Sequence, residues 1–363
     1  MRIAMISHSN SPWAPHYGRW FQNAGHEVII LSFHPDPIEG VNVIPIGAEQ
    51  WNEHKGKFVY LTAMFRVRRL LRDFRPDVVF APYLISNGLT AALTWRGPLV
   101  VSARGGDVLI QAGRTRVPVG LRNRLIRFIC RRADRIHAVS DQLAEAVASL
   151  GINRELVECF PMGVDIERFK PRPDSQVDRE PLHLICTRRH KPVYQTDVVI
   201  RALALLRDQG LHFRATIMGG GHLLDERRRQ VNELRLNDIA TITGETRHDQ
   251  LPKTLADSDI YISASASDGT SSSLLEAMAC KVFPVVSDIP ANHGWVQPGE
   301  TGYFFESTSA EELAQKVALA AANRELRTSA GEVNRQLVEE RGSHQKNMTR
   351  LLHLLERVAG GAK

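Results

Sequence analysis

Two carboxylates, Asp268 and Glu276, bracket a loop of small polar residues within the sequence 261–287. The apolar run 260–262 predicts a strand before the loop, and a helix is predicted to begin near Ser273. Backbone N–H groups at a helix start, where the helix dipole is positive, bind phosphate groups well. Small residues leave these N–H groups unobstructed, and the loop consists of Gly269, Thr270, Ser271, Ser272 and Ser273. The segment therefore predicts a site for a phosphate or a pyrophosphate.

Glu276 lies in the first part of the predicted helix. There its carboxylate can accept hydrogen bonds from hydroxyl groups of the molecule that carries the phosphate, for example a ribose. The alternative is an ordinary capped helix in which Glu276 only complements the helix dipole. The residues alone leave both interpretations open.

The segment resembles the signature of the retaining GT-B glycosyltransferases called family 4. In that family an acidic residue, several intervening positions and a glutamate precede an Ala-Met-Ala helix and a Pro-Val-Val strand. Here Asp268 and Glu276 are followed by Ala277-Met278-Ala279 and Pro284-Val285-Val286. The family usually has Glu at the first acidic position and Gly where Lys281 stands.

The resemblance implies transfer of a sugar from a UDP- or GDP-sugar to a glycan, lipid-linked or small-molecule acceptor, with retention of the anomeric configuration. Asp268 would hold hydroxyls of the transferred sugar, the loop amides would bind the pyrophosphate, and Glu276 would bind the ribose. The resemblance also implies displacement on one face of the sugar, in which the departing phosphate takes the acceptor proton. From relatives we expect a hexosyl- or N-acetylhexosaminyltransferase of polysaccharide or glycoconjugate biosynthesis.

The bulk properties favour a two-domain protein. The 363 residues are 43% apolar and 24% charged, which is typical of globular chains with domains of about 150–200 residues. The sequence has no apolar run of the roughly 18–20 residues that cross a bilayer, and it does not begin with a secretory signal pattern. Four scattered cysteines indicate neither a disulfide framework nor a zinc site. We therefore expect a cytoplasmic protein.

Strands alternate with helices along the whole chain, which predicts parallel α/β layers. The fold class predicted is GT-B, two facing Rossmann-like domains with a cleft between them. The acceptor domain is assigned to 1–165 with a returning helix at about 344–363, and the nucleotide-sugar donor domain to 166–343. The element Pro161-Met162-Gly163-Val164-Asp165 resembles the family's domain boundary, with Met162 in place of Asn. Predicted helices include 17–24, 63–74, 224–234 and 344–358.

The loop 187–194 carries cations that could stabilise a departing nucleoside diphosphate, which gains charge as the glycosidic bond breaks. The family usually has an Arg and, five residues later, a Lys. Aligned without gaps, Arg189 falls on the Arg and Tyr194 on the Lys, so Arg189 is preferred, with Arg188 and Lys191 in support. The alternative is a set of solvated loop cations.

Two further loops of the second domain lie where the family binds the donor base and phosphates. Gly220 belongs to a run of three glycines after a predicted strand, and Gly244 and Glu245 follow the next strand. Glycine allows the backbone to approach a ligand closely, but three glycines alone are a weak motif. An ordinary turn explains Gly244 and Glu245 nearly as well.

In the first domain, the loop 102–107 resembles the family's His-Gly-x-Asp loop near the transferred sugar. Arg104 replaces the His, Gly105 follows it, and Asp107 matches the Asp. The replacement suggests a different or an acidic sugar. His16 and Tyr17, in an earlier loop, could bind an acceptor or could simply pack at the surface.

A basic stretch extends from Arg114 to Arg135, with eight arginines against the single acid Asp134. Apolar residues recur between them at helical spacing, at Leu121, Leu125, Phe128 and Ile129. A basic amphipathic helix suits an anionic membrane surface or an acidic acceptor. The alternative is a solvated helix whose apolar stripe packs on a sheet. Nucleic acid is disfavoured because aromatic residues do not interleave with the basic ones.

No metal and no cofactor are expected. The Asp-x-Asp pattern Asp257-Ser258-Asp259 precedes a predicted strand and does not lie in a loop suited to metal binding. Two other functions stay open: a nucleotide-sugar epimerase of the same fold, and a non-catalytic sugar-nucleotide-binding protein. The replacements at Tyr194 and Arg104 favour the second, while Asp268 and Glu276 oppose it.

Overall fold

The computed structural model of the protein describes residues 1–11, 13–47, 56–105, 108, 118–172, 180–245 and 250–361, with the backbone alone for 56–62. The chain divides into two compact units. Unit 1 comprises Met1–Pro161 and Lys346–Lys363, and unit 2 comprises Met162–Gln345. The boundaries predicted from the sequence, after residue 165 and before residue 344, differ from these by four and two residues.

The described residues form strands and helices in alternation. The strands are β1 Arg2–Ile6, β2 Glu27–Ser32, β3 Asn42–Pro45, β4 Val78–Ala81, β5 Leu99–Ala103, β6 Arg135–Ala138, β7 Val157–Cys159, β8 Leu182–Cys186, β9 Phe213–Met218, β10 Ala240–Gly244, β11 Ile260–Ser263, β12 Phe283–Ser287 and β13 Tyr303–Phe305. The helices are α1 Ala14–Asn23, α2 Gly56–Phe74, α3 Leu89–Thr94, α4 Val119–Arg132, α5 Asp141–Ala148, α6 Thr196–Asp208, α7 Leu224–Glu233, α8 Leu251–Ala256, α9 Ser272–Ala279, α10 Pro290–His293, α11 Ala310–Ala322, α12 Arg324–Arg341 and α13 His344–Ala359.

Unit 1 is built on a seven-stranded parallel sheet with the order β3-β2-β1-β4-β5-β6-β7. Its central strands, such as β4 and β5, are short apolar runs that are buried on both faces, as expected when helices cover a parallel sheet. The returning helix α13 buries Met348, Leu351 and Leu355 completely, which ties the end of the chain to this unit.

Unit 2 is built on a six-stranded parallel sheet with the order β10-β9-β8-β11-β12-β13. The order reverses between β8 and β11, which pair directly with Leu184 opposite Ile260 and Ile185 opposite Tyr261. Open parallel sheets bind ligands at the carboxyl ends of strands where the order reverses. The loops that follow β8 and β11 are therefore the ones that this topology brings together.

Helix α1 begins earlier than the sequence predicted. The predicted start was Tyr17, whereas α1 starts at Ala14 with Pro15 in its first turn. A proline in the first turn is compatible with a helix because the N–H that it lacks has no partner inside the helix there. The proline therefore begins this helix and does not delay it.

Gly163 lies where two segments of unit 2 meet backbone to backbone. The Val164 N–H donates to the Gly342 carbonyl at 2.8 Å, and the His344 N–H donates to the Val164 carbonyl at 2.9 Å. Gly163 has φ +76°, and a Cβ atom there would lie 2.4 Å from the Gly342 oxygen. Both the dihedral angle and the space require glycine.

Replacing Gly163 by Ala should therefore destabilise unit 2 more than an ordinary left-handed glycine replacement. We expect Gly163→Ala to lower the free energy of unfolding by about 3 kcal/mol or more, since left-handed strain and steric overlap add. Gly210→Ala is the matched control, because Gly210 has φ +80° with nothing within 4 Å of its added Cβ. The control should lose only about 1 kcal/mol. Equal losses in urea unfolding would show that the close approach at Gly163 has no energetic weight.

Candidate functional site

Helix α9 begins at the carboxyl edge of the unit 2 sheet, just after the loop that leaves β11. Ser271 is its N-cap residue, and the Ser271 hydroxyl accepts a hydrogen bond from the Leu274 N–H at 3.2 Å. The Gly269 N–H donates to Asp268 Oδ1 at 2.9 Å. The predicted helix start is confirmed to within one residue, because Ser271 caps the helix and small residues precede it.

Arg188 connects the loop after β8 to this helix start. Its guanidinium donates from Nη2 to Asp268 Oδ2 at 2.6 Å and from Nη1 to the Ser271 hydroxyl at 2.9 Å. The Arg188 side chain is 7% exposed and that of Asp268 is 19% exposed. The site is thus organised around an ion pair that is largely withdrawn from solvent.

The ring of Tyr194 covers the guanidinium of Arg188, with 4.2 Å between the Cζ atom and the ring centroid. Burial lowers the pKa of Arg188, but the Asp268 carboxylate, Tyr261 and Tyr194 together outweigh burial and hold that pKa above its ordinary value. Arg188 therefore stays a cation. Its Nε atom is buried without a hydrogen-bond partner among the described residues.

Glu276 lies one turn into α9. Burial raises the pKa of its carboxyl group to about 7, while the cations of Arg188 and Arg168 act in the opposite direction. A carboxylate placed in a poorly solvated position gains from any ligand hydroxyl that donates to it. Glu276 therefore has a pKa near neutral pH, and its ionised form can accept hydrogen bonds from ligand hydroxyls.

The structure distributes the loop cations differently from the gapless alignment. Arg189 and Lys191 are exposed, whereas Arg188 is buried against Asp268. Tyr194, which the alignment placed on the family's Lys, packs its ring on Arg188. Arg188, and not Arg189, is therefore the guanidinium at the start of α9. Loops have no hydrophobic periodicity, so the sequence carried no signal that distinguishes Arg188 from Arg189.

The three glycines after β9 pack against the loop after β8. A Cβ atom on Gly219 would lie 2.7 Å from the Arg188 carbonyl oxygen, and one on Gly221 would lie 2.3 Å from that of His190. The His190 N–H donates to the Gly220 carbonyl at 2.9 Å. These glycines let two backbone loops touch, and this contact positions the chain on either side of Arg188.

Gly220, Gly244 and Glu245 lie together at the same edge of the unit 2 sheet. The Gly219 N–H donates to the Gly244 carbonyl at 2.8 Å, and a Cβ atom on Gly220 would lie 3.3 Å from Glu245 Cβ. Glu245 itself is exposed. The structure thus brings together the three residues that the sequence assigned to the donor base.

In unit 1, Arg104 follows β5 and is surrounded by aromatic rings. Its Cζ atom lies 4.5 Å from the Trp13 ring centroid and 5.6 Å from that of Tyr83. Its Nη1 donates to the Tyr17 hydroxyl at 2.7 Å. The Tyr17 side chain is fully buried and cannot stack on an acceptor in this arrangement, whereas His16 is exposed.

Gly105 follows Arg104 with φ +134°, a dihedral angle that favours glycine. Asp107, which matches the Asp of the family's loop near the transferred sugar and is predicted to be catalytic, lies outside the described residues. The predicted acceptor loop is therefore placed in the structure only as far as Gly105.

The basic stretch forms helix α4, and Arg114 and Arg116 lie outside the described residues. One face of α4 is buried through Ile126, Ile129 and Cys130. The apolar stripe is therefore divided, because Leu121 and Phe128 remain 51% and 43% exposed.

Within the described ranges, no helix is long and apolar enough to cross a membrane. Among the same residues, no group of three or more His, Cys, Asp or Glu side chains could hold a metal ion.

A separate cavity of about 110 Å³ lies at the amino ends of β11 and β12 in unit 2. Arg172 and Arg327 line it, but their guanidinium groups donate to helix-end carbonyls, those of Ala256 and Ala320 respectively. Cations near carbonyls at helix C-termini are a common stabilising arrangement. These arginines therefore have a structural role.

The raised pKa of Glu276 makes a testable contribution to stability. Because that pKa is about 7 in the folded protein against an ordinary 4.5, the folded state binds more protons than the unfolded state between these values. The free-energy cost of ionising the buried Glu276 carboxyl group is absent below pH 4.5. It grows as the pH rises and reaches about 3 kcal/mol above pH 7. Glu276→Gln, which stays neutral, should therefore gain stability over the wild type between about pH 5 and pH 8.

Urea unfolding at a series of pH values measures this gain. Taking the difference between variant and wild type cancels every other titrating group. Glu233→Gln is the control, since Glu233 is an exposed residue at the end of α7. The control should stay close to the wild type in stability, and a pH-independent difference for Glu276→Gln would contradict the burial argument.

Comparison with known families covers both halves of the chain. Residues 167–337 match the family Glycosyl transferases group 1, and residues 16–168 match Glycosyltransferase Family 4. The first match contains Arg188, Asp268 and Glu276.

Several relatives are similar over part or most of the chain. WcaL of Escherichia coli (strain K12), named as a glycosyltransferase for colanic acid biosynthesis, is 30% identical over 195 residues, 52% of this chain and 48% of WcaL. The D-inositol 3-phosphate glycosyltransferase of Pseudarthrobacter chlorophenolicus is 26% identical, over 69% of this chain and 63% of that protein. The GDP-mannose-dependent alpha-(1-6)-phosphatidylinositol monomannoside mannosyltransferase of Mycobacterium tuberculosis is 24% identical, over 76% and 75%. The matched regions thus span 48% to 75% of these relatives' lengths.

Solved structures share the fold at low sequence identity. Alr3699/HepE of Anabaena, in complex with UDP, superposes with a TM-score of 0.82 at 17% identity, covering 98% of this chain and 100% of that one. Sucrose-phosphate synthase of Thermosynechococcus elongatus gives 0.82 at 18% identity, covering 99% and 100%. With both halves matched and the two parallel sheets in place, the chain belongs to the group 1 glycosyltransferases of the GT-B fold.

Proposed function

We propose that the protein is a retaining glycosyltransferase that moves a sugar from a UDP- or GDP-sugar to a glycan, a lipid-linked or a small-molecule acceptor. The observation that carries the proposal is the cluster at the start of α9. There a buried Arg188, the loop amides before the helix and Glu276 converge at the carboxyl edge of the unit 2 sheet. A cation, backbone N–H donors at a helix start and a carboxylate are groups that bind a nucleoside diphosphate.

The pyrophosphate would lie against the N–H groups that begin α9, with the guanidinium of Arg188 beside it. As the glycosidic bond breaks, negative charge grows on the departing phosphate, and fixed cations and dipoles stabilise that charge without reorganising. Glu276 would accept hydrogen bonds from the ribose hydroxyls, and Asp268 from hydroxyls of the transferred sugar.

Retention follows in this proposal from attack on the face that the diphosphate leaves. The acceptor hydroxyl forms the new bond to the anomeric carbon, the bond to the diphosphate oxygen breaks, and that oxygen takes the acceptor proton. The transferred group is proposed to be a hexose or an N-acetylhexosamine. The reaction is proposed to need no resident metal, and assay after dialysis against EDTA tests this.

The relatives support a nucleotide-sugar donor without choosing its base. The mycobacterial relative is named as GDP-mannose-dependent, and the Anabaena structures are described as complexes with UDP and with UDP-glucose. Colanic acid and phosphatidylinositol mannoside in the relatives' names support a role in polysaccharide or glycoconjugate synthesis.

Donor binding tests the role of Glu276. A thermal-shift screen with UDP-, GDP-, ADP- and CMP-sugars identifies the donor, and calorimetry then gives its affinity. Glu276→Ala should weaken donor binding by about 2 kcal/mol, because charge-assisted hydrogen bonds to the ribose are lost. Glu233→Ala, at the exposed end of α7, should bind the donor as the wild type does. An unchanged affinity in Glu276→Ala would remove the ribose contact.

We also propose that unit 1 associates with an anionic membrane surface, as a peripheral protein on the cytoplasmic face. Leu121, Arg124, Phe128 and Arg131 follow one another on an exposed face of α4 and alternate apolar with basic side chains. Exposed apolar groups insert at the lipid headgroup boundary while the arginines attract acidic headgroups.

Helix α2 extends this surface. Among the described side chains, its Phe65 is 71% exposed, and Arg69 and Arg72 are each 78% exposed. Helix α3 contacts both α2 and α4 and exposes Leu93 between them. Exposed apolar and basic side chains therefore occur on three neighbouring helices of unit 1, a combination that suits the surface of an acidic bilayer.

Vesicle flotation tests this surface. Replacing Arg124, Arg127 and Arg131 by Ser should reduce binding to vesicles that contain acidic lipid by about tenfold or more, since each surface cation contributes roughly 1 kcal/mol. A triple replacement of Arg201, Arg228 and Arg229, exposed arginines of unit 2, matches the change in net charge and should leave binding intact. Equal losses in both variants would indicate a general charge effect and no docking surface.

A further inference from the structure

Asp268 affects the binding of a diphosphate in two opposite ways. It fixes the guanidinium of Arg188 at 2.6 Å, which positions a cation for the phosphates. The same carboxylate directly precedes the loop Gly269–Ser273, whose amides begin the phosphate site, so its negative charge also lies beside that site.

Both Nη atoms of Arg188 already have hydrogen-bond partners. Its Nη2 is engaged by Asp268 and its Nη1 by the Ser271 hydroxyl. Ser271 in turn accepts from the Leu274 N–H as the helix cap. A diphosphate that draws on the Nη atoms of Arg188 must therefore compete with the Asp268 carboxylate at Nη2 and with the Ser271 hydroxyl at Nη1.

The two nucleotides of the proposed reaction differ in how they meet that carboxylate. In a nucleotide-sugar the terminal phosphate is esterified, and the sugar offers hydroxyl donors to Asp268. In the free nucleoside diphosphate the terminal phosphate offers no sugar hydroxyl and carries a second negative charge at neutral pH, because its second pKa is about 6. Like charges within a few ångströms in a poorly solvated site repel strongly.

We propose that Asp268 is a specificity-determining residue that makes the site favour the sugar-bearing donor over the free nucleoside diphosphate product. This inference rests on the proposed function and deepens it. Asp268 accepts hydrogen bonds from the donor sugar, and once the sugar is gone the same charge repels the remaining diphosphate and keeps Arg188 from closing on it. The carboxylate thereby promotes release of the product.

The test compares two affinities in one set of variants. Calorimetry measures binding of UDP and GDP, and of their sugar forms, to the wild type, Asp268→Asn and Asp268→Glu. Asp268→Asn should bind the matching nucleoside diphosphate about tenfold more tightly than the wild type does. It should bind the nucleotide-sugar no more tightly, because the sugar contact is weakened as the repulsion falls. Asp268→Glu keeps the charge and should not tighten diphosphate binding.

Asp225→Asn controls for the change in net charge, since the Asp225 side chain is 90% exposed. It should leave both affinities at wild-type values. A purely structural role for Asp268 would weaken both ligands together, so affinities that move in different directions distinguish the two roles.

The results distinguish a failure of this inference from a failure of the proposed function. A wild type that binds no nucleoside diphosphate and no nucleotide-sugar would overturn the proposed function itself. A wild type that binds them, with Asp268→Asn binding the diphosphate equally or more weakly, would overturn only the inference.

A second pair of variants covers the case in which Asp268→Asn loses its cooperative unfolding transition. Arg188→Gln and the double variant Arg188→Gln/Asp268→Asn leave no unpaired guanidinium in the site. Removal of the carboxylate from the Arg188→Gln background should again tighten diphosphate binding, and a double variant that binds no more tightly would overturn the inference.

Discussion

The ion pair between Arg188 and Asp268 is the interaction on which the unit 2 site depends. It joins the loops that leave β8 and β11, the two neighbouring strands at which the sheet order reverses. A buried guanidinium is costly unless it is paired and hydrogen-bonded, and Arg188 has a carboxylate, the Ser271 hydroxyl and the face of Tyr194. Removing one partner would leave a charge without compensation, so the pair holds both loops in one arrangement.

Glu276 shows that the same site is not arranged for stability. The pKa of its carboxyl group is raised to about 7, because burial disfavours the charged form more than Arg188 and Arg168 favour it. A neutral amide at this position would relieve that penalty. The ionised carboxylate is useful only when a ligand supplies hydroxyl donors, and this is the pattern expected of a preorganised binding group.

Much of the fold could be predicted from the sequence, because short apolar runs alternate with helical patterns. Strand β11 begins at the predicted residue, Ile260, since burial on both faces gives it continuous apolar residues. The start of α9 was also predictable, because a serine N-cap leaves a local chemical signature. Local chemistry and hydrophobic period were sufficient in these elements.

The parts that were not predictable depend on tertiary contacts. Arg188 and Arg189 are chemically identical neighbours, and only the fold decides which of them is buried against Asp268. Tyr17 was assigned to an acceptor loop at the start of the predicted helix, but in the structure it lies inside α1 and is buried beside Phe80, with 5.2 Å between the ring centroids. The close backbone contacts of Gly219 and Gly221 likewise depend on two loops that are distant in sequence.

Buried polar atoms without partners among the described residues recur at the carboxyl edges of both sheets. In unit 2 they include Thr187 Oγ1 and Arg188 Nε, which directly follow β8. In unit 1 they include Ser7 Oγ and His8 Nδ1, which directly follow β1, the strand at which that sheet order reverses. Each unsatisfied atom costs about 1–3 kcal/mol, and neither strand needs one to form. Hydrogen-bonding capacity is thus available beside both reversal points, which is where open parallel sheets direct a polar ligand.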